Sequence, residues 1–306
     1  MKTEGPFLAR KPLLLLLLVV LGWGTSWTVI KFTIVEIPPL SYRGFSAIVS
    51  GLGMLGLARM SGIPIRIPRE ELPRMLVLAL FNTALWHALA TYGVVFLSSG
   101  QAALLGYTMP MWCVPLSIWL LGEKLTVRRV VALLLGLGGI SALMVGRGAG
   151  ALAAAPVGAL LMVSAAASWA VGIVLIKRWQ IRMPTLVLTA WLMLIGSVPL
   201  LAGAWAVDGI PQKMPSAAAL GGLAFSIVIT FMLCNWAWNQ LVLLVPVAVS
   251  SLSSLLTPLV GVLSGAIFLH EHPGWHEALA AALILGSVAV INLQKPAGSL
   301  AQAVKK

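Results

Sequence analysis

The sequence Trp23-Gly24-Thr25, followed by Ile30-Lys31, recurs later in the chain as Trp169-Ala170-Val171 followed by Ile176-Lys177. The two copies lie 146 residues apart. Three more pairs follow in the same order at a displacement of 148 residues: Pro110 with Pro258, Glu123 with Glu271, and Gly138 with Gly286. Pairs that keep their order with a single two-residue slip indicate an internal duplication.

The composition predicts a membrane protein. Hydrophobic residues make up 60% of the chain and charged residues 9%, and the mean hydropathy is +1.01. No Asp, Glu, Lys or Arg occurs from Met75 to Leu121 or from Met214 to Leu269. Each stretch is long enough for two helices of roughly 20 residues. Because these runs are continuously apolar, without the alternation of a membrane β-barrel, we expect an all-α integral membrane protein.

Ten transmembrane helices fit the sequence, five in each copy of the duplication. The predicted spans are 13–34, 41–60, 73–95, 98–121, 128–146, 156–177, 184–206, 216–241, 245–269 and 275–293. An odd number of helices per repeat turns the second copy upside down, which gives a 5+5 inverted repeat. The predicted divisions are a cytoplasmic N-terminus (1–12), a first five-helix repeat (13–146), a connecting loop (147–155), a second, inverted repeat (156–293) and a cytoplasmic tail (294–306).

The net charge of +12 is explained by topology, so no nucleic-acid partner is expected. If the N-terminus is inside, the inner segments hold all but four of the 20 Lys and Arg residues. The four exceptions are Lys31, Arg43, Arg147 and Lys213. The positive-inside rule then places both termini in the cytoplasm. Cys113 and Cys234 both fall within predicted spans, which makes a disulfide framework improbable.

Several motifs resemble the drug/metabolite transporter superfamily, in its ten-helix EamA-type branch. They are Trp-Gly-Thr-Ser-Trp…Ile-Lys at 23–31 with its echo at 168–178, Tyr107-Thr108-Met109-Pro110, and Leu-Gly-Glu-Lys-Leu-Thr at 121–126. The resemblance covers nearly the whole chain and implies a transporter of the bacterial inner membrane, without enzymatic activity or a cofactor. Within the superfamily, the aromatic intramembrane residues make the chain most similar to YddG-like exporters of aromatic amino acids.

Polar groups within the spans predict a central cavity. Asn82, Trp86 and His87 lie on span three, and His87 corresponds by the repeat to Asn235 on span eight. Intramembrane polar side chains usually face the bundle interior or a water-filled path, and both helices also carry Trp. We therefore predict a substrate cavity shared by the two repeats. Its predicted residues are Trp23, Asn82, Trp86, His87, Tyr107, Met109, Trp169, Asn235, Trp238 and Asn239.

Each of these residue types also has a structural interpretation. His87 could bond a neighbouring helix, contact substrate or carry a proton. Asn235 and Asn239 could serve as hydrogen-bonding glue between helices, and the paired Trp residues could simply pack. Pro110 and Pro258 each remove a helix hydrogen bond, which fits either a hinge or a static kink.

The favoured function is export of amino acids, including aromatic and neutral ones, by alternating access. No carboxylate lies at the middle of a predicted span, which favours facilitated diffusion, although proton coupling through His87 or an interfacial Glu remains open. The nearest alternative is export of lipophilic cations, drugs or other small metabolites. A lipid-modifying enzyme is a third reading, and it would need a nucleophile, metal or carboxylate pair at membrane depth.

No metal site is predicted, because the sequence containing His270, His272 and His276 is interrupted by Pro273-Gly274. The expected partners are the small-molecule substrate and membrane lipid. A monomer is sufficient to form the pathway, and the oligomeric state is left open. Small residues on the last helix of each repeat permit close contact, either between the repeats or between protomers.

Overall fold

Ten helices make up the part of the chain that the computed structural model describes, residues 10–96, 105–146, 156–208, 214–268 and 274–292. No strand occurs within these ranges. The unbroken helices are α1 (Arg10–Thr33), α2 (Pro39–Met60), α4 (Met109–Leu121), α5 (Val127–Gly146), α6 (Pro156–Trp179), α7 (Thr185–Val207) and α10 (Trp275–Asn292). The composite helices are α3 (Leu72–Ala79, Leu80–Leu85 and Trp86–Phe96), α8 (Ala217–Phe225, Ser226–Cys234 and Asn235–Leu244) and α9 (Val247–Ser253 and Leu256–Phe268). The predicted all-α fold is confirmed.

Several of these helices suit a membrane. Among the described residues, four helical stretches are long and apolar enough to cross one: Arg69–Gly93, Pro156–Trp179, Thr185–Val207 and Ala217–Leu244. Shorter apolar helices occupy Met109–Leu121, Val247–Val260 and Ala278–Ile291. The predicted spans agree with the observed helices to within a few residues, except that residues 98–104 of the predicted fourth span lie outside the described residues.

Helices from the two halves exchange partners in a reciprocal pattern. The first helix of one half packs on the third and fourth helices of the other, so α1 contacts α8 and α9 while α6 contacts α3 and α4. The remaining large contacts pair α2 with α7 and α5 with α10. Neither half encloses its own core, so any space at the centre of the bundle is bounded by both.

The small residues of α5 and α10 join the two halves of this chain. A Cβ on Gly139 would lie 2.6 Å from Ile284 Cγ1, so glycine permits this close approach. Nearby, the Ser287 hydroxyl donates to the Ala132 carbonyl over 2.6 Å. Contact between the halves therefore accounts for small residues that the sequence left unassigned between halves and protomers.

Both proline positions follow breaks in helices. Pro110 is the second residue of α4, directly after a turn at 107–108, and Pro258 is the third residue of the second part of α9, after a turn at 254–255. In a first helical turn proline removes no intrahelical hydrogen bond. The two prolines thus lie in the first turns of helical segments at repeat-related positions. Hinge motion at these positions stays a prediction.

α3 and α8 each contain a π-helical segment, Leu80–Leu85 and Ser226–Cys234. The wider turn frees backbone carbonyls for other donors. The Phe81 carbonyl accepts from the Ser168 hydroxyl over 2.9 Å. The Thr230 carbonyl accepts from Trp23 Nε1 over 3.3 Å and from Asn235 Nδ2 over 2.9 Å. Such segments are frequent at functional sites, and these two occupy equivalent places in the repeats.

We call the end of the bundle where α1 begins the N-terminal end, and the end holding the α1–α2 turn the far end. Two carboxylates cross-link the far end. Glu36 accepts from the Ser216 amide and hydroxyl over 2.6 and 2.7 Å. Asp208 accepts from the Ser41 amide and hydroxyl over 2.6 and 2.8 Å. Together they tie the start of α2 and the turn before it to the end of α7 and the start of α8.

The Glu36 contact predicts a pH-dependent difference in stability. Hydrogen bonds from the Ser216 amide and then its hydroxyl hold the pKa of Glu36 below its ordinary value of 4.5. A depressed folded-state pKa gives stability that is present above the ordinary value and lost as the pH falls through the folded one. We expect Glu36→Gln to melt slightly below wild type at pH 7 and together with it in strong acid. Melting temperatures of both proteins across pH check this, and an equal difference at every pH would contradict it.

Candidate substrate cavity

A cavity lies between the two halves, with about 770 Å³ of empty space that includes the part open to solvent. Small-molecule sites are typically concave and lined mainly by apolar and aromatic side chains with a few polar groups. Its lining residues come from both repeats: Trp23, Ser26, Ile30, Arg43, Asn82, Trp86, His87, Ala90, Gly106, Tyr107, Trp169, Thr230 and Asn235. Of the ten residues predicted from sequence, seven are in this wall, and Met109, Trp238 and Asn239 are not.

The wall contains three pairs of positions related by the repeat. Trp23 and Trp169 are 146 residues apart, while Asn82 with Thr230 and His87 with Asn235 are each 148 apart. The polar members lie within the π-helical segments of α3 and α8 or at most two residues after them. The cavity therefore lies at the interface of the two repeats. Transporters built from repeats bind their substrates at this interface.

A cluster of four tryptophans closes the cavity toward the N-terminal end. The Trp169 ring lies 5.3 Å from Trp23, 4.8 Å from Trp86 and 5.4 Å from Trp238, measured between centroids. These separations suit offset and edge-to-face contacts between aromatic rings. Trp238, 2% exposed, contacts the rings of Trp23 and Trp169 without lining the cavity. An aromatic floor of this kind suits a flat or apolar ligand group.

Three polar atoms in the wall have no partner in the part of the chain that the structure describes. Asn82 Nδ2, His87 Nδ1 and Thr230 Oγ1 are all buried and lack a hydrogen bond. Leaving such groups unsatisfied costs about 1–3 kcal/mol each, so native proteins usually pair them with protein, water or ligand. The His87 ring is held by stacking on Phe231, with centroids 4.9 Å apart. The His87 ring is thus held in place, and a ligand would reach these enclosed polar atoms after small side-chain rotations.

Three predicted site residues lie behind the wall. Met109 is fully buried and accepts from the Cys113 thiol. Asn239 donates to the Thr189 hydroxyl over 2.9 Å. This hydrogen bond between α8 and α7 is the structural role considered for Asn239 in the sequence analysis. Trp238 packs against the rings of Trp23 and Trp169, which line the cavity.

The sequence reasoning missed Ser26, Arg43 and Thr230. Thr230 was detectable, because it stands 148 residues after Asn82. Arg43 was assigned to the outer charges, yet it is the fifth residue of α2 and lines the cavity. Within the described ranges no group of three or more His, Cys, Asp or Glu residues could hold a metal ion. His270 and His272 lie outside those ranges.

Hydrogen bonds and an ion pair cross-link the helices at the N-terminal end of the bundle. Lys177 Nζ donates to the carbonyls of Leu243 and Val245 over 2.9 and 3.0 Å. Glu123 accepts from the Val247 amide over 3.1 Å and pairs with Arg129 over 3.0 Å. These bonds join the ends of α4 and α6 to the link between α8 and α9. The cavity wall instead extends toward the far end through Ile30, Arg43, Ala90 and Gly106.

Gly172→Ala is expected to impair the site without unfolding the protein. A Cβ at Gly172 would lie 2.5–2.6 Å from the three terminal heavy atoms of the Asn82 side chain. That amide would have to move, which displaces one polar group of the wall. We expect a clear loss of transport with little change in melting temperature. The matched control is Gly221→Ala, because nothing lies within 4 Å of the added Cβ there. Unchanged transport by Gly172→Ala would show that the position of Asn82 does not matter.

The fold and the cavity together define a helical membrane protein of the transporter class. Residues 10–145 and 156–293 each match the EamA-like transporter family, so the chain belongs to that family. It is therefore a transporter and not an enzyme. The two matches also show that the domain is present twice.

Known proteins resemble the chain over nearly its full length. An uncharacterized transporter of Bacillus subtilis, YvbV, is 28% identical over 93% of this chain and 92% of its own. A probable amino-acid metabolite efflux pump of Escherichia coli is 24% identical over 91% of this chain and 93% of its own. One solved crystal structure superposes with a TM-score of 0.78 over 96% of this chain and 99% of its own, at 21% identity. That likeness supports the fold.

Proposed function

We propose that this transporter exports amino acids, including aromatic and other neutral ones, across the bacterial inner membrane by alternating access. The observation that carries the proposal is the cavity between the repeats, where fixed tryptophans lie beside buried polar atoms without partners. Tryptophan faces suit an apolar side chain, and the free polar atoms suit a small polar head. The relative named as an amino-acid metabolite efflux pump supports the same substrate class.

The proposed topology has inverted repeats and both termini in the cytoplasm. Contacts of Leu18 with Cys234, and of Lys177 with Leu243, support it. They bring the start of α1, the end of α6 and the end of α8 toward the same end of the bundle. That end also carries the arginines of the α2–α3 and α4–α5 links, which fits the positive-inside rule.

In this topology we infer an outward-facing state. The cavity lining includes residues toward the far end, which is then periplasmic, and the contacts of Lys177 and Glu123 cross-link the cytoplasmic end. Release from the cytoplasm would require these contacts to break while the far end closes over the substrate. A substrate shifts the balance between the two states only by the difference in its affinity for them. Without a coupled ion, net flux therefore follows the substrate gradient.

Facilitated transport fits the charges of the wall. None of the lining residues within the described ranges is an Asp or Glu, so the wall lacks the carboxylate that a proton relay commonly uses. The same lack disfavours lipophilic cations, whose recognition would rest on aromatic faces alone. His87 remains the alternative proton carrier, and a pH gradient tests it.

The test is exchange in proteoliposomes preloaded with unlabelled phenylalanine or threonine, with labelled amino acid outside. We expect uptake without an imposed pH gradient, and we expect Trp86→Ala and His87→Ala to reduce it strongly. Trp205→Ala is the matched control, since Trp205 is 90% exposed. Exchange only with a pH gradient would make the transport proton-coupled. No exchange of any amino acid by correctly folded protein would contradict the proposed substrate class.

A further inference from the structure

We propose that Arg43 binds the carboxylate of the substrate, and that the substrate's amine is dispensable. The site would then accept amphipathic monocarboxylates in general, namely amino acids, 2-oxo acids and arylalkanoic acids, and would reject amines that lack a carboxylate. This inference rests on the proposed function, because it names the group by which the same cavity selects its ligands.

Arg43 lines the cavity but belongs to neither ion pair recorded among the described residues. It is the fifth residue of α2, roughly 6 Å along the helix axis from its first residue. A charged side chain in a membrane bundle is expensive and usually has a partner or faces water. No carboxylate is present among the lining residues that the structure describes, so the available anion is one that enters the cavity.

The position of Arg43 is fixed by its neighbour. The guanidinium carbon lies 5.5 Å from the centre of the Tyr42 ring, a cation–π distance. Tyr42 is fully buried, and its hydroxyl hydrogen-bonds the Ser226 hydroxyl, at the start of the π-helical segment of α8. The guanidinium is thus anchored to the other half of the protein. A planar guanidinium presents two parallel donors that match a carboxylate.

The other polar groups of the wall extend this preference. Asn82 Nδ2 can only donate, and Thr230 Oγ1 and His87 Nδ1 can donate in one of their states. Donors stabilise a carboxylate. An ammonium group would instead need acceptors, and the described wall offers it neutral oxygens and ring faces but no negative charge. Recognition is therefore asymmetric, strong for the acid group and weak for the amine.

The tryptophan cluster determines which apolar group the ligand can carry. Trp23, Trp86 and Trp169 all line the cavity and contact one another in one cluster. A ligand whose carboxylate lies on Arg43 would place its aryl or alkyl group against these rings. The inferred class is thus a single carboxylate on an apolar body.

The test measures ligand binding to purified protein by thermal stabilisation and by tryptophan fluorescence, with three ligands that share a phenylethyl group. They are phenylalanine, 3-phenylpropionate without the amine, and phenethylamine without the carboxylate. We expect the first two to bind and phenethylamine to bind at least about tenfold more weakly, because it lacks the charge-assisted hydrogen bonds to Arg43. Arg43→Gln should weaken the two carboxylates by about tenfold or more and leave phenethylamine no weaker. Arg43→Lys should fall between Arg43→Gln and wild type.

Arg59→Gln is the matched control, since Arg59 is an exposed arginine near the other end of the same helix. Equal binding of phenethylamine and phenylalanine by wild type would overturn the inference while leaving amino-acid transport intact. An unchanged ligand ratio in folded Arg43→Gln would also overturn it, and would assign Arg43 to the membrane interface. Carboxylate-selective binding without exchange of any amino acid would support the inference and contradict the proposed function.

Discussion

Trp169→Ala is expected to abolish transport and to destabilise the protein, because one ring serves both the cavity and the core. Trp169 is 8% exposed and contacts the rings of Trp23, Trp86 and Trp238. Removing a buried tryptophan costs about 3–5 kcal/mol. The loss would leave the floor of the cavity open and its remaining rings without a common neighbour. Exchange in proteoliposomes and the melting temperature of the purified protein measure the two effects.

Two further variants separate packing from substrate contact. Trp169→Phe keeps an aromatic ring and should recover most of the stability and part of the transport. Trp238→Phe alters a ring that contacts the cluster from outside the cavity wall, and should lower stability with a smaller effect on apparent affinity. Normal exchange by Trp169→Ala would mean that the substrate does not pass this cavity.

Breaking the contacts at the N-terminal end is expected to change which end of the cavity is open. Glu123 and Arg129 form a pair whose side chains are only 14% and 9% exposed, and Lys177 donates to two backbone carbonyls. Loss of hydrogen bonds to a charged group, at about 1.5–3 kcal/mol, changes the ratio of two states about tenfold or more. Lys177→Met and Glu123→Gln should therefore shift the population toward the state open at the N-terminal end.

The shift is measured by labelling a cysteine introduced at Ala90, in the part of the cavity toward the far end. Labelling by a membrane-impermeant thiol reagent in intact cells should slow in Lys177→Met and Glu123→Gln. Arg178→Met is the matched control, because it removes an adjacent, exposed charge of the same sign. Equal labelling rates in all three variants would show that these contacts do not hold the cavity in its present state.

The helices were predictable because their signals are local. Long apolar runs and turn-forming residues fix where a membrane helix begins and ends, and the paired motifs of α1 and α6 reveal the duplication. The repeat also pointed to four residues of the cavity wall, since Trp23 with Trp169 and His87 with Asn235 are paired by position alone. The π-helical segments were not predictable, because a wider turn depends on donors from other helices such as Ser168 and Trp23.

Sequence periodicity could not predict which side chains of a helix point toward the cavity. Asn239 was predicted in the wall but is satisfied by Thr189, and which of two nearby asparagines faces a partner depends on packing of α8 against α7. Arg43 was missed for a related reason. A charge close to a helix end resembles a topology signal in sequence, and only the packing of α2 against α8 through Tyr42 turns it toward the cavity.

Substrate protection of a cavity cysteine tests most directly that this cavity is the substrate site. The chain's own cysteines, Cys113 and Cys234, are free, so both are replaced by alanine and any labelling reports the introduced cysteine. Ala90→Cys lies in the wall, whereas Val35→Cys lies at the same end in the α1–α2 turn, where Val35 is 82% exposed. We predict that saturating phenylalanine slows labelling of Ala90→Cys and leaves Val35→Cys unchanged. Labelling of Ala90→Cys that no transported substrate slows would contradict the assignment of this cavity.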